Sequence, residues 1–571
     1  ISQPVKHTEL PSEIVWPAIA EATFLSLALT LGHSKEASSV LIRGHRKGRA
    51  NLKERLDSLI MDAWKTDMSV SSSCEKSRAP STASSAASLA LSQRSLKPGE
   101  KFRNTKGLGW FVTGLFVVGD LAGGGIVALP TALIQTGFYP GLVIMALMTA
   151  VTTFTSYVLG QTWAMLLEKW PEYRHHTRKP YAEIGFRAHG PWMRTFVSII
   201  INITQFMIAV VYTLLSSKNI QDFIEAFFGV KISYCLVILA VAVCLLPVTF
   251  LKSPNDFWWA VVIAMFTTSA AVILIIVGAS MDYGACHPSS QLPPFRVTNY
   301  FLALGTFLFS YGGHTAFPTI QHDMRCPADF NKSTFVAFTI LALMYTPTGI
   351  VGVLTYGDSL RDSVINSIQV QGIQQAINVL ITVHLILTLT IVFNPVNQEI
   401  EDLFHVPQQF SWQRVCVRTS VLFAAAFVAE SVPSFGPLLN LVGGSTLTLS
   451  SICFPCLFFL FIKARLAKAR ENGKDVGPAS FNDVITYNSK PMIAACVFVI
   501  VFGFIGGAAA TFSAIRDLSS ARFELPCYVS AFMANTDDAT VSATNCCGAY
   551  QNLTARANVT CTTPDLDFYT K

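Results

Sequence analysis

The chain has 571 residues, of which 51% are hydrophobic and 13% charged, with a formal net charge of +6. An ordinary soluble protein carries nearly twice that share of charge, so the composition is that of a membrane protein. The basic residues sit mostly in connections between apolar runs, which removes the net charge as a nucleic-acid signal, and the 13 cysteines are scattered without the pattern of a zinc or disulfide scaffold.

Residues 1–105 differ in kind from the rest of the chain. Ser69 to Ser95 is rich in Ser and Ala and poor in large apolar residues, the composition of a disordered tail. Val15 to Leu31 is apolar apart from Glu21 and is open to three readings: a twelfth span, a leader or an interfacial helix. The flanking acids Glu9 and Glu13 do not make the basic start of a secretory signal, which favours a non-spanning segment.

From Trp110 onward, apolar stretches of about 18 residues or more predict transmembrane helices. Eleven are found, at 109–134, 138–167, 191–216, 232–251, 256–281, 299–320, 333–356, 372–395, 413–430, 434–463 and 491–515. The connections that carry Lys169, Arg174, Arg178, Lys179 and Arg187, and later Lys463, Arg465, Lys468, Arg470 and Lys474, are the basic ones. This asymmetry predicts a cytoplasmic amino terminus. An odd number of spans then puts residues 517–571 outside the cell or in a lumen. The sequons Asn552-Leu553-Thr554 and Asn558-Val559-Thr560 agree, as does the even set Cys527, Cys546, Cys547 and Cys561. Cys453-Phe454-Pro455-Cys456 has redox-pair spacing but lies in an apolar span with no βαβ context.

Two spans are interrupted. The first contains Gly119-Asp120-Leu121-Ala122-Gly123-Gly124-Gly125-Ile126, three consecutive glycines beside a carboxylate. Glycines loosen a helix, the freed backbone groups need partners that lipid cannot supply, and Asp is costly at the bilayer centre. The sixth contains Phe309-Ser310-Tyr311-Gly312-Gly313-His314-Thr315-Ala316-Phe317-Pro318, again with adjacent glycines, an ionisable residue and a closing proline. Breaks in spans one and six point to two halves of five spans in opposite orientation plus one further helix, with a substrate or ion site at membrane depth. The alternative for each glycine pair is close helix packing.

These two segments, with Asn440-Leu441-Val442-Gly443-Gly444 to Cys453-Phe454-Pro455, resemble the first-, sixth- and tenth-span signatures of the amino acid/auxin permease family, over roughly residues 105 to 515. The resemblance implies an all-α, five-plus-five inverted-repeat transporter domain at 106–516 and secondary active transport of amino acids driven by protons or sodium, with no cofactor and no enzymatic activity. It also implies an outer-face disulfide between Cys235 and Cys286. In such a site, N–H groups of Gly124, Gly125 and Ile126 at a half-helix start suit the substrate carboxylate. Carbonyls near Val118 and Gly119, with Ser310 and Tyr311, suit its ammonium. Gly123 and Gly312 keep the pocket open, and Tyr311 and Tyr212 line it.

Asp120 and His314 are the candidate ion-coupling residues. His384 in span eight is a further titratable group, weighed below His314. Sodium would need paired hydroxyls from the eighth span, but Thr388 and Thr390 stand about 200° apart on a helix, which favours protons. Glycines at the site favour a small or medium neutral amino acid. The sequence leaves plasma and lysosomal or vacuolar membranes equally open, and the rival readings are a sodium-coupled carrier and an amino-acid sensor with little net transport.

Overall fold

The computed structural model describes residues 101–520 apart from 105–106, 176, 231, 251–257, 291, 293–294, 408–410 and 476. The amino-terminal tail with Val15–Leu31, the carboxyl-terminal cysteines, and Asn552 and Asn558 lie outside these residues. Among those described, the only non-helical pairing is an isolated bridge between Leu108 and Met324.

Helices occupy each of the apolar stretches. They are α1 (Trp110–Leu121), α2 (Gly124–Thr136), α3 (Phe138–Lys169), α4 (Pro180–His189), α5 (Pro191–Phe228), α6 (Tyr234–Thr249), α7 (Trp258–Cys286), α8 (Val297–Ser310), α9 (Phe317–His322), α10 (Phe330–Tyr356), α11 (Gln371–Leu403), α12 (Trp412–Ser431), α13 (Phe435–Val442), α14 (Phe454–Asn472), α15 (Phe481–Tyr487) and α16 (Lys490–Ser520). Seven helical segments among the described residues are long and apolar enough to cross a membrane, and eight if the bent pair α1–α2 is one span. The segments 234–247 and 297–310 are apolar but shorter.

The large side chains left exposed are mostly apolar, as a lipid-facing surface requires. On α16, Phe498, Phe504, Ile505 and Phe512 all point outward. Inside the bundle, serines and threonines hand their hydroxyl hydrogens back to the preceding turn, as Thr136 does to the Ala132 carbonyl (2.9 Å) and Ser156 to that of Thr152 (2.6 Å). A hydroxyl satisfied in this way can be buried in an apolar interior. Between α13 and α14 the chain widens into two π-helical turns, Gly443–Leu447 and Leu449–Cys453. A Cβ on Gly443 would lie 1.9 Å from the Gly305 carbonyl oxygen, so only glycine lets α8 approach this turn.

The basic connections meet at one end of the bundle. Arg465 donates to the Arg187 carbonyl (2.5 Å) and pairs with Asp475 (2.8 Å), while Lys468 pairs with Asp483 (2.9 Å). Lys468 together with the Ser480 amide and hydroxyl hold the Asp483 carboxyl at about 2, so this cap of α15 stays charged across the physiological range. At the same end Arg178 pairs with Asp402 (3.0 Å) and Lys179 with Glu399, tying α4 to the end of α11. A cavity of about 730 Å³ opens there between Arg178, Glu183, Arg194 and Glu399.

Candidate functional site

The site begins where α1 stops. Ala122 still donates to the Val118 carbonyl (2.8 Å), but Gly123 turns out of the helix at φ −110°, ψ −135°, and α2 leaves at 62° to α1. Its N–H bonds back only to Leu121 (2.8 Å), and the first bond of α2 runs from Ile126 N–H to the Gly123 carbonyl (3.2 Å). The N–H groups of Gly124 and Gly125 therefore precede the hydrogen-bonded turns of α2, at its positive end. The Gly124 N–H points to the Tyr212 hydroxyl.

The second break follows α8. Tyr311 and Gly312 close onto Phe307 and Phe309 (both 3.1 Å), Gly313 and His314 leave the helix, and the chain resumes in α9 at Phe317-Pro318. Proline at the first turn of α9 removes an N–H that would have had no partner.

The two breaks face each other. A Cβ on Gly125 would come within 2.5 Å of Ser310 Oγ and 2.7 Å of Ser310 Cα, and one on Gly313 within 2.8 Å of Asp120 Oδ2. The Tyr345 hydroxyl of α10 lies 3.0 Å from both the Leu121 and the Ser310 carbonyls, so one side chain ties the ends of α1 and α8 together. Replacing Tyr345 by Phe removes that tie. We expect a loss of about 1 kcal/mol in stability, the usual net value of one hydrogen bond, with the fold retained, measured by thermal unfolding in detergent.

The residues expected from the sequence divide by placement. Gly123, Gly124 and Tyr212 come together: a Cβ on Gly123 would lie 2.6 Å from the Tyr212 hydroxyl and 3.0 Å from His384 Nε2. Gly125 and Ser310 meet where the breaks face each other. Asp120 is half-buried beside Gly313 and has no hydrogen-bond or ion-pair partner among the described residues. Gly119 instead faces α7, where Val261 Cγ1 lies 3.1 Å from its Cβ position, and Gly312 packs against Leu447. The Val118 carbonyl is taken by Ala122. Tyr311 is fully buried, its hydroxyl 3.1 Å from Thr149 and its ring edge-on to Tyr345 at 5.2 Å. His314 points away from the breaks into α3, with Nε2 2.9 Å from both Thr155 and Ser156. Cys235 and Cys286 are both disulfide-bonded, as is Cys326.

Sequence reasoning missed Tyr345, and the structure also brings His384 to the Gly123 break. Neither lies in a glycine-rich motif. The available signal was an intramembrane histidine one turn before Thr388, a spacing that puts both on one face of a helix.

A bundle of apolar helices whose first and sixth hydrophobic stretches break against each other, around an unpaired carboxylate, has the architecture of a polytopic membrane carrier rather than of a soluble domain. The chain belongs to the transmembrane amino acid transporter protein family, whose profile matches residues 106–475. That family consists of transporters, not enzymes. Among curated proteins of Arabidopsis thaliana, the chain is 23% identical over 409 residues to amino acid transporter AVT1D, covering 70% of this chain and 68% of the relative. It is 26% identical over 355 residues to amino acid transporter AVT1H (61% and 80%) and 23% identical over 380 residues to lysine histidine transporter-like 4 (62% and 81%). Among solved structures, Mhp1, a nucleobase-cation-symport-1 family transporter, aligns with 75% of this chain and 96% of its own at a TM-score of 0.48 and 12% identity.

Proposed function

We propose that this protein is a proton-coupled secondary transporter that moves small or medium neutral amino acids by alternating access through eleven spans arranged as a five-plus-five inverted repeat. The observation that carries the reading is the apposition of the two helix breaks: a half-helix start at Gly124 and Gly125 and an unpartnered acid at Asp120 meet in one place. The N–H groups of Gly124 and Gly125, with Ile126 behind them, receive the substrate carboxylate once Tyr212 swings off Gly124. The ammonium is received by the polar groups of Ser310 and Tyr311, and Asp120 beside them carries the coupling proton. Membership of an amino acid transporter family supports that substrate class.

Protons are favoured over sodium because the Thr390 hydroxyl donates to the Leu387 carbonyl while Thr388 turns to His384, so the two do not present a paired oxygen site. The transporter domain covers 106–516, with the amino terminus cytoplasmic and the tail from 517 outside or lumenal, in a plasma or lysosomal membrane. Asn552 and Asn558 are its glycosylation acceptors, and a Cys235–Cys286 bridge is read by a non-reducing peptide map.

The test is uptake of labelled amino acids into proteoliposomes under a proton gradient, a sodium gradient or neither. Accumulation under the proton gradient alone is expected. Accumulation under sodium alone replaces the coupling ion, and binding without accumulation under any gradient moves the protein to a sensor.

A further inference from the structure

The cavity of about 730 Å³ at the basic end of the bundle shares no lining residue with the helix breaks, and its volume falls in the range of about 300–1,000 Å³ that ligand pockets occupy. Its charges are balanced. Arg178 pairs with Asp402, Lys179 with Glu399, Arg187 with Glu172 and Arg194 with Glu183. Hydroxyls add to two of the acids: Tyr173 donates to Glu183 and Ser198 to Glu399 (both 3.1 Å). A guest of one sign meets as many like charges here as opposite ones, whereas a guest that carries both fits between the members of existing pairs. The side chains of Arg178, Lys179, Glu399 and Arg194 are between 30% and 51% exposed, and ion pairs this open exchange partners at little cost.

The cavity also borders the lipid-facing surface. Thr195, Ser198 and Ile199 of α5 form part of its wall. Ile199 belongs at the same time to an exposed apolar stripe, Trp192, Phe196, Ile199 and Ile203, whose spacing of four, three and four residues puts all of them on one face of the helix. From Trp192 to Ile203 the stripe runs about 16 Å at 1.5 Å per residue, close to half of the hydrocarbon core and so the depth of one leaflet. Tryptophan favours the level of the headgroups, and Trp192 stands in the first turn of α5, beside the Arg194–Glu183 pair. The charged wall and the apolar stripe therefore meet where a lipid headgroup joins its chains.

We propose that this cavity holds the headgroup of a phospholipid ending in a primary ammonium, a phosphatidylethanolamine: Arg178 and Arg194 take its phosphate, Glu399 takes its ammonium, and an acyl chain follows the stripe from Trp192 to Ile203. Guanidinium suits phosphate because its N–H groups lie in one plane and meet two oxygens at once. Glu399 only accepts, and a primary ammonium offers it three N–H groups where a choline headgroup offers none. Choline is held instead by open aromatic faces, and here the rings of Tyr173 and Phe186 are already faced by the guanidinium groups of Arg187 and Arg194 (both 5.2 Å). A free amino acid carries the same two charges, but it has no use for a stripe one leaflet deep. Bound in this way, the lipid links α4, α5 and the end of α11, the elements that the ion pairs already join.

The experiment offers delipidated full-length protein equimolar phosphatidylethanolamine, its N,N-dimethyl derivative, phosphatidylcholine, phosphatidylglycerol and phosphatidylserine, all with the same acyl chains, and reads retained lipid by native mass spectrometry. Wild type is expected to retain phosphatidylethanolamine over phosphatidylcholine by about ten-fold or more, the effect of one charge-assisted hydrogen bond, with the dimethyl lipid in between. Arg194→Gln and Glu399→Gln are each expected to bring that preference down to about two-fold or less. Thermal unfolding of the variants in phosphatidylcholine reports whether they are folded, and if either is not, the headgroup series on wild type decides alone. Equal retention of phosphatidylcholine, stronger retention of phosphatidylglycerol or phosphatidylserine, or an unchanged preference in the folded variants overturns the assignment. So does displacement of the lipid by an equal concentration of soluble glycerophosphoethanolamine, which gives the cavity to a soluble zwitterion. None of these readings involves transport, so their failure is distinct from that of the coupled-carrier reading.

Discussion

Asp120→Asn is expected to reduce proton-driven accumulation of substrate from about ten-fold per pH unit to none, while exchange of internal for external amino acid continues. The reason lies in what surrounds the carboxylate. It sits where α1 ends, with Oδ2 2.8 Å from the Cβ position of Gly313, and no described side chain donates to it or pairs with it. An acid in such a place either takes up a proton or meets a cation from the substrate, and in both cases its charge changes hands during the cycle. Asn has the same shape and cannot titrate, so the break is preserved and only the linkage to pH is lost. Uptake by Asp120→Asn that still follows the proton gradient would remove Asp120 from the coupling path.

Gly125→Ala is expected to abolish uptake altogether, by about 100-fold or more, which corresponds to roughly 3 kcal/mol. The added methyl would stand 2.5 Å from Ser310 Oγ and 2.7 Å from Ser310 Cα. The first of these neighbours can rotate, but the second is backbone, so α2 and α8 must separate. Overpacking of this kind usually costs about 1–3 kcal/mol of stability, and here it also displaces the N–H groups proposed above to receive the substrate carboxylate. Uptake and thermal unfolding measured on the same preparation separate the two effects. Ser310→Ala in the Gly125→Ala background removes the hydroxyl but not the backbone contact, so it should restore little. Full recovery in that double variant would show that the Oγ contact alone caused the loss.

Much of the architecture was legible in the chain because lipid enforces a simple rule. A stretch that crosses it must be apolar and helical, and a break must be explained by polar groups nearby. The two interruptions at Gly123 and Gly313 were readable for that reason, as was the closeness of Asp120 to the site. The division of labour within the motifs was not. Gly119 and Gly312 carry the same sequence signal as Gly123 and Gly125, yet they pack against Val261 and Leu447, because which side of a helix a glycine faces depends on partners far away in the chain. The two histidines show the same limit. Each is a lone titratable residue in an apolar span, yet His314 turns into α3 while His384 faces the Gly123 break, and the sequence motif sets neither direction. Tyr345, on an uninterrupted helix, gave no signal at all.

A phenol has one hydrogen to give, and Tyr345 has two carbonyls at the same distance to give it to. The hydrogen serves one of the two carbonyls at a time, and passing it from one to the other needs only a turn about a single C–O bond. In the alternating-access cycle proposed above, the two broken ends would therefore share one latch.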